Sequence, residues 1–295
     1  MIAMLAALQL IWSEKAPLPR AQAGGAAALL GDTMVIAGGT TWENGVKLWL
    51  DDVQLYDVRA DTWRKGPPLP EKLAYLPFAQ SGNSLEIFGK TIWRFDSSLS
   101  GWTKAGEAPA ELLLSRAARI GKRVFLFGGC ADVADLTRCT DVVWMREDGG
   151  AWREVAKLPG GKVALSATAV AGGRVYLFGG CSMPEPGKVV NRAEAWSFDP
   201  ATFRFHRLRD LSAPNRGLTA AASGGRILLF GGYVDSGFTA AVWSYDPKRD
   251  RYASEAPMPV GMTSIEFFTH GDTLIGTGGE DRMKSRSART FAAKR

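Results

Sequence analysis

One stretch near the end of the chain carries an acid and a base close enough in sequence to act together. In residues 276–291, GTGGEDRMKSRSARTF, Glu280 directly follows a double glycine and Arg286 comes six residues later. A carboxylate can exchange protons with a bound molecule, and a guanidinium can hold a carboxylate through two hydrogen bonds. We therefore take Glu280 and Arg286 as the candidate catalytic pair, with an ordinary surface ion pair as the alternative interpretation.

Other familiar catalytic patterns are missing from the sequence. It contains no GxSxG, HExxH, GxxxxGK[ST] or CxxC arrangement, so the usual nucleophile, zinc, phosphate and dithiol chemistries have no motif here. The chain has two histidines, His206 and His270, and neither lies in a cluster spaced like metal ligands. We expect no metal site and no cofactor.

The elements that would position the pair come from a repeat that fills the chain. A glycine, six residues and a second glycine ending an apolar run recur six times, with the closing glycines 51, 39, 51, 52 and 47 residues apart. Aromatic or apolar residues also recur seven apart, for example Tyr56 and Trp63, or Tyr245 and Tyr252. A period of this length with about four strands per unit is typical of kelch-type blades. The sequence therefore predicts an all-β, six-bladed β-propeller.

The last repeat lacks a fourth strand, and the start of the chain supplies a spare one. Trp12 lies seven residues before Pro19, as Trp63 lies seven before Pro70. Pairing the two termini would close the ring and remove two exposed sheet edges. We expect one domain, 1–295. Its blades span approximately 19–70, 71–109, 110–159, 160–214, 215–259, and 260–295 plus 9–18.

Composition and charge exclude some partners. Of the net charge of +6, residues 281–295 supply +5, because they contain six basic residues and one acid. The rest of the chain has too little excess charge for a nucleic-acid footprint, and no apolar run is long enough for a transmembrane helix. The basic stretch fits a local preference for anions or a solvated tail.

The cysteines and the first residues bear on the compartment. Cys130 and Cys139 flank a loop whose neck they could bridge in an oxidising compartment. Residues 1–8 are apolar and could be the remnant of a signal peptide, although they lack a basic start. Together these features favour a periplasmic or secreted location over a cytoplasmic one.

Three stretches resemble the N-acetylneuraminate epimerase (sialic acid mutarotase) family, in its cyclically permuted branch. They are GGTTWENGVKLWLDD (38–52), LPEKLAYLPF (69–78) and GGEDRMKSRSA (278–288), the last matching a Gly-Glu-x5-Arg pattern. The resemblance implies interconversion of the anomers of an acidic sugar by acid–base ring opening, without a cofactor. Glu280 would be the acid and base, and Arg286 would hold the substrate carboxylate or orient Glu280.

Further sugar contacts would come from the segments that line a propeller channel, and we predict Lys72, Tyr75 and Arg216 for that role. The alternative function is a non-catalytic module that binds a protein or a glycan. Kelch propellers commonly present loops to protein partners, and the long loop carrying Trp42 and Trp49 is a surface of that kind. The fold alone does not choose between the two.

Overall fold

The computed structural model describes residues 10–294 and is built almost wholly of antiparallel strands. The first strand, β1 (Ile11–Lys15), belongs to the last blade. Blade one holds two pairs of strands with a hairpin between them: β2 (Ala26–Leu30), β3 (Thr33–Ala37), the hairpin β4 (Thr40–Glu43) and β5 (Val46–Trp49), β6 (Val53–Asp57) and β7 (Thr62–Lys65).

Blades two and three have no hairpin between their second and third strands. Blade two contains β8 (Phe78–Ser81), β9 (Ser84–Phe88), β10 (Thr91–Asp96) and β11 (Trp102–Glu107). Blade three contains β12 (Arg116–Ile120), β13 (Arg123–Phe127), a short 3₁₀ helix at Leu136–Arg138, β14 (Val142–Glu147) and β15 (Arg153–Lys157).

Blades four and five again carry hairpins. Blade four comprises β16 (Ala167–Ala171), β17 (Arg174–Phe178), the hairpin β18 (Cys181–Glu185) and β19 (Lys188–Asn191), β20 (Ala195–Asp199) and β21 (Arg204–Leu208). Blade five comprises β22 (Thr219–Ser223), β23 (Arg226–Phe230), the hairpin β24 (Tyr233–Val234) and β25 (Gly237–Phe238), β26 (Val242–Asp246) and β27 (Arg251–Ser254).

Blade six is completed from the other end of the chain. Its own strands are β28 (Glu266–His270), β29 (Thr273–Thr277) and β30 (Thr290–Lys294), and β1 pairs with β30 so that Trp12 lies opposite Ala293. The first strands contact one another in a complete circle, from β2 through β8, β12, β16, β22 and β28 back to β2. The prediction of a six-bladed propeller closed by an N-terminal strand is confirmed. Residues 1–8, considered as a signal remnant, and residue 9 lie outside the described residues.

Apolar clusters at the junctions between blades form the core. The predicted seven-residue spacing is a direct cross-strand pair in several blades, with ring centroids 4.8 Å apart for Tyr56 and Trp63 and 4.9 Å apart for Tyr245 and Tyr252. The Met145–Trp152 pair is an exception. Met145 pairs with Arg153, so Trp152 lies just before β15, and its ring packs edge-on against Phe88 of blade two.

A buried ionic network also joins blades two and three. Glu86 of β9 is fully buried and accepts hydrogen bonds from Arg94, at 2.6 Å, and from Arg119 of β12. Arg119 also pairs with Asp148 at 2.6 Å, and the Arg146 guanidinium stacks over the Trp152 ring. Removing one member would leave its partners charged and buried, so this junction depends on the complete network.

Candidate functional site

The residue after each double glycine occupies an equivalent place around the propeller. It forms an antiparallel bridge with a residue just before the first strand of its own blade: Ala23 with Thr40, Leu113 with Cys130, Ala164 with Cys181, Arg216 with Tyr233, and Thr263 with Glu280. Blade two differs because Gly89 leads through a tight turn directly into β10. Since all second strands leave on the same side, the loops that follow them share one face, which we call the loop face.

A series of backbone hydrogen bonds from blade one to blade six underlies this face. The residue that follows the bridge residue before the first strand has a positive φ, and so does its equivalent in blade two. These residues are Gly24, Tyr75, Leu114, Leu165, Gly217 and Ser264. The amides of the last five each donate to the carbonyl of the preceding one, from Tyr75 to Gly24 at 2.7 Å through to Ser264 to Gly217 at 2.8 Å. A non-glycine residue rarely adopts this conformation, so the repeated strain marks a constrained part of the fold. We call these six residues the axial ring.

Glu280 and Arg286 meet on the loop face, beside the axial ring. Arg286 Nη1 lies 3.1 Å from Glu280 Oε2. The same guanidinium donates from Nε to Thr40 Oγ1 at 3.1 Å and from Nη2 to the Tyr75 hydroxyl at 3.2 Å. Its Nη1 also donates to the carbonyl of Ser285 at 2.6 Å. Side chains from three blades therefore converge on one arginine, which is 4% exposed.

The surroundings of Glu280 shift its pKa in opposite directions. Burial raises the pKa of its carboxyl above the ordinary value, while the positive charges of Arg286 and Lys47 oppose the shift and Asp281 adds to it. Lys47 lies 5.6 Å from the ring centres of both Trp42 and Tyr75, so the β4–β5 hairpin covers one side of the cluster. With 22% of its side chain exposed, Glu280 can reach a molecule at the surface.

Two buried polar atoms at this site have no hydrogen-bond partner within residues 10–294. They are the indole nitrogen of Trp42 and the Oδ1 of Asp281. A buried polar atom without a partner is costly, and a bound polar group commonly satisfies it. Together with Glu280 and Lys47, these atoms offer both donors and acceptors to a ligand.

Of the three residues predicted to contact a sugar, only one lies at this site. Tyr75 joins the Glu280–Arg286 cluster through its hydroxyl. Lys72 is exposed, and no hydrogen bond or ion pair is found for it in the described part of the chain. Arg216 lies with the blade-four and blade-five hairpins, where its Nη1 bonds to Asn191 Oδ1 at 2.5 Å and its guanidinium stacks 4.3 Å above the Tyr233 ring. The structure thus brings together Glu280, Arg286 and Tyr75, but not Lys72 or Arg216.

Thr40 and Lys47 belong to the site, although sequence reasoning did not select them. Thr40 Oγ1 accepts two hydrogen bonds from Arg286 and lies 3.1 Å from the Tyr75 hydroxyl. A signal for Thr40 was present, because it directly follows a double glycine, as Glu280 does. Lys47 gave no such signal, since its place depends on how the hairpin folds back.

The three cysteines form one disulfide bond and leave one free thiol. Cys130 and Cys139 face each other in a β-bridge and are joined by a disulfide bond, while Cys181 is a buried free thiol whose pKa burial raises to about 11. Within residues 10–294, no cluster of three or more His, Cys, Asp or Glu side chains is placed to hold a metal ion. The described segment also has no helix long and apolar enough to cross a membrane.

Fold and site together define a six-bladed β-propeller with a polar cluster on its loop face. Residues 115–293 match the KLHDC2/KLHL20/DRC7 Kelch-repeats domain, and residues 23–70 match the Kelch motif. The chain therefore belongs to the kelch-repeat family.

Similar curated proteins are of two kinds. Kelch-like protein 25 from Xenopus tropicalis is 26% identical over 272 residues, which cover 86% of this chain and 44% of that protein. The human Kelch-like protein 25 is 25% identical over the same shares. The N-acetylneuraminate epimerase of Haemophilus influenzae (strain PittEE) is 23% identical over 188 residues, 51% of this chain and 50% of the epimerase. The chain thus spans less than half the length of its Kelch-like relatives, and its likeness to the epimerase is partial.

Proposed function

We propose that this propeller is a non-catalytic binding module that docks a protein segment on its loop face. The observation that carries the proposal is the placement of exposed apolar side chains. Six large apolar residues are exposed in residues 10–294, and four of them lie on loop-face segments: Val46, Val189, Val190 and Met283. Apolar side chains gathered on one face of a soluble propeller are typical of a surface that binds another protein.

The charges and polar atoms beside these residues suit the same use. Lys47, Glu280 and the unpartnered Trp42 and Asp281 atoms lie near the β4–β5 hairpin and the 280–289 loop, which also carry Val46 and Met283. A peptide segment offers apolar side chains together with backbone donors and acceptors, so it can satisfy both sets of groups at once. A segment that alternates apolar and polar side chains fits this surface best.

The bonding of Arg286 argues against one of its two expected roles, that of holding a substrate carboxylate. Its Nε, Nη1 and Nη2 atoms all bond within the protein, and 4% of the side chain is exposed. No nitrogen of this guanidinium is left over to hold a substrate carboxylate through two hydrogen bonds. In this proposal Arg286 is a positioning residue that fixes the loop carrying Glu280 and Met283.

A library of random peptides displayed on phage tests the proposal directly. We expect selected peptides to bind the wild-type protein and to lose about tenfold or more in affinity to Val46→Asp and Met283→Asp, since each puts a charge into an apolar contact. Ile11→Asp is the matched control, because Ile11 is 73% exposed but lies on the outer strand. Equal losses in the control, or a surface that selects glycans and no peptides, would contradict the proposal.

A second candidate function is mutarotation of an acidic sugar. It is favoured by the contact between Glu280 and Arg286 and by the raised pKa of Glu280, which helps a carboxyl group act as both acid and base. The test is proton NMR of freshly dissolved N-acetylneuraminic acid, with and without protein. Acceleration by the wild type that is lost in Glu280→Gln would replace the binding proposal with this one.

A further inference from the structure

The central channel contains a cavity on the inner side of the axial ring. It is lined by the beginnings of the first strands and the residues before them, including Phe78, Arg116, Thr168, Thr219 and Glu266, and its volume is about 160 Å³. Beyond it the channel widens towards the opposite face, between Gln80, Arg119 and Thr269. At about 30 Å³ per water molecule, the cavity holds roughly five waters or a ligand with a similar number of non-hydrogen atoms.

Three polar side chains on the cavity wall have hydrogen-bonding atoms that residues 10–294 leave unused. Arg116 donates from Nε to the carbonyl of Ser166 at 2.5 Å, and the hydrogen bonds found for its guanidinium use that nitrogen alone. The buried hydroxyl oxygen of Thr168 has no partner within the described residues. Glu266, also on the wall, forms no ion pair with another described residue. Donors in a small, otherwise apolar cavity are therefore left for a ligand to use.

The charges around Glu266 favour a bound anion. Burial raises the pKa of its carboxyl to about 7, against the opposing charge of Arg116. The other charged group facing the channel from the six first strands is Arg119, whose charge is already neutralised by Glu86 and Asp148. Near and below neutral pH the cavity therefore holds the fixed positive charge of Arg116 beside a neutral carboxyl that can donate a hydrogen bond.

We propose that this cavity binds a small monocarboxylate through Arg116, Thr168 and Glu266, the polar side chains on its wall. Arg116 comes from blade three and Glu266 from blade six, on opposite sides of the channel, so a carboxylate between them can bond to both, and a short alkyl group fits against Ala117, Ala167 and Leu218. The site is separate from the Glu280–Arg286 cluster, which lies on the loop face. It does not depend on the function proposed for that face.

Acetate is the probe, measured by calorimetric titration at pH 6 and pH 8 against sodium chloride of equal ionic strength. We expect saturable acetate binding at pH 6 that weakens about tenfold for each pH unit above 7, as Glu266 ionises. Glu266→Gln keeps a neutral donor, so its affinity should no longer depend on pH and should exceed that of the wild type at pH 8. Arg116→Gln should weaken binding about tenfold or more, because it removes a charged hydrogen bond.

Two further variants make the result decisive. Glu280→Gln on the loop face is the matched control and should bind acetate as the wild type does. If Arg116→Gln fails to fold, Thr168→Val keeps the side-chain shape and should weaken binding several-fold by removing the hydroxyl. Acetate heats equal to those of chloride, or an affinity unchanged in Arg116→Gln or Thr168→Val, would overturn the proposal.

Discussion

Replacing Trp12 with alanine should open the junction where the chain closes its ring. The Trp12 ring packs edge-on against Phe230, Phe267 and Phe291, with centroids 5.9 to 6.3 Å apart, and its indole nitrogen donates to the carbonyl of Ala256 at 3.2 Å. These contacts join β1 to blades five and six. A loss of Trp12 therefore weakens both the pairing of β1 with β30 and the neighbouring interface between blades.

The expected cost is about 3 kcal/mol of unfolding free energy, the lower end for truncating a buried tryptophan, because Trp12 is only partly buried. Ile11→Ala is the control, since Ile11 is 73% exposed on the same strand and should change the free energy of unfolding by less than about 0.5 kcal/mol. Urea denaturation followed by tryptophan fluorescence and circular dichroism measures both variants. A Trp12→Ala midpoint equal to that of Ile11→Ala would refute the closure argument.

Three other substitutions test separate parts of the structure. Glu86→Gln should lower the free energy of unfolding by about 3 kcal/mol in urea denaturation, because the buried Arg119 and Arg146 lose the charge of the buried carboxylate beside them. Gly24→Ala should cost more stability than Gly31→Ala in the same assay: both have positive φ, but only at Gly24 would the new methyl carbon lie 2.6 Å from Tyr75. The pKa of Glu266 is raised to about 7, so the folded state favours its protonated form. Its contribution to the free energy of unfolding is therefore full below about pH 4.5 and is lost as pH rises through 7. In thermal melts over that pH range, Glu266→Gln should become more stable than the wild type by up to about 3 kcal/mol.

The fold could be predicted from the sequence because its signals are local and repeated. Double glycines mark the ends of second strands, and aromatic residues seven apart become cross-strand partners because a short turn fixes their register. Trp12 matches the fourth-strand aromatic residue of a blade whose other strands do not precede it, and this was enough to predict the closing strand. The spacing failed at Met145 and Trp152, where the turn through Gly149 and Gly150 pairs Met145 with Arg153, and the Trp152 ring packs against Phe88 of blade two.

The site was predictable only in part, because its members come from different blades. Tyr75 and Arg286 are 211 residues apart, and their contact follows from the closed ring rather than from any local pattern. Arg216 pairs with the residue after a double glycine, as Thr263 does with Glu280, but its side chain contacts Asn191 and Tyr233 rather than the Glu280–Arg286 cluster. Glu86 offered a signal that the spacing rules ignore, since it is a single acid among the apolar residues of β9.

Hydrogen exchange with a bound peptide tests the central claim, that the loop face is a binding surface. Amide exchange would be followed by mass spectrometry on the wild-type protein, with and without a peptide selected as described above. The account predicts slower exchange in the β4–β5 hairpin, the β18–β19 hairpin and residues 280–289, with β1 and the other outer strands unchanged. Protection confined to the outer strands or to the first strands around the channel would contradict it.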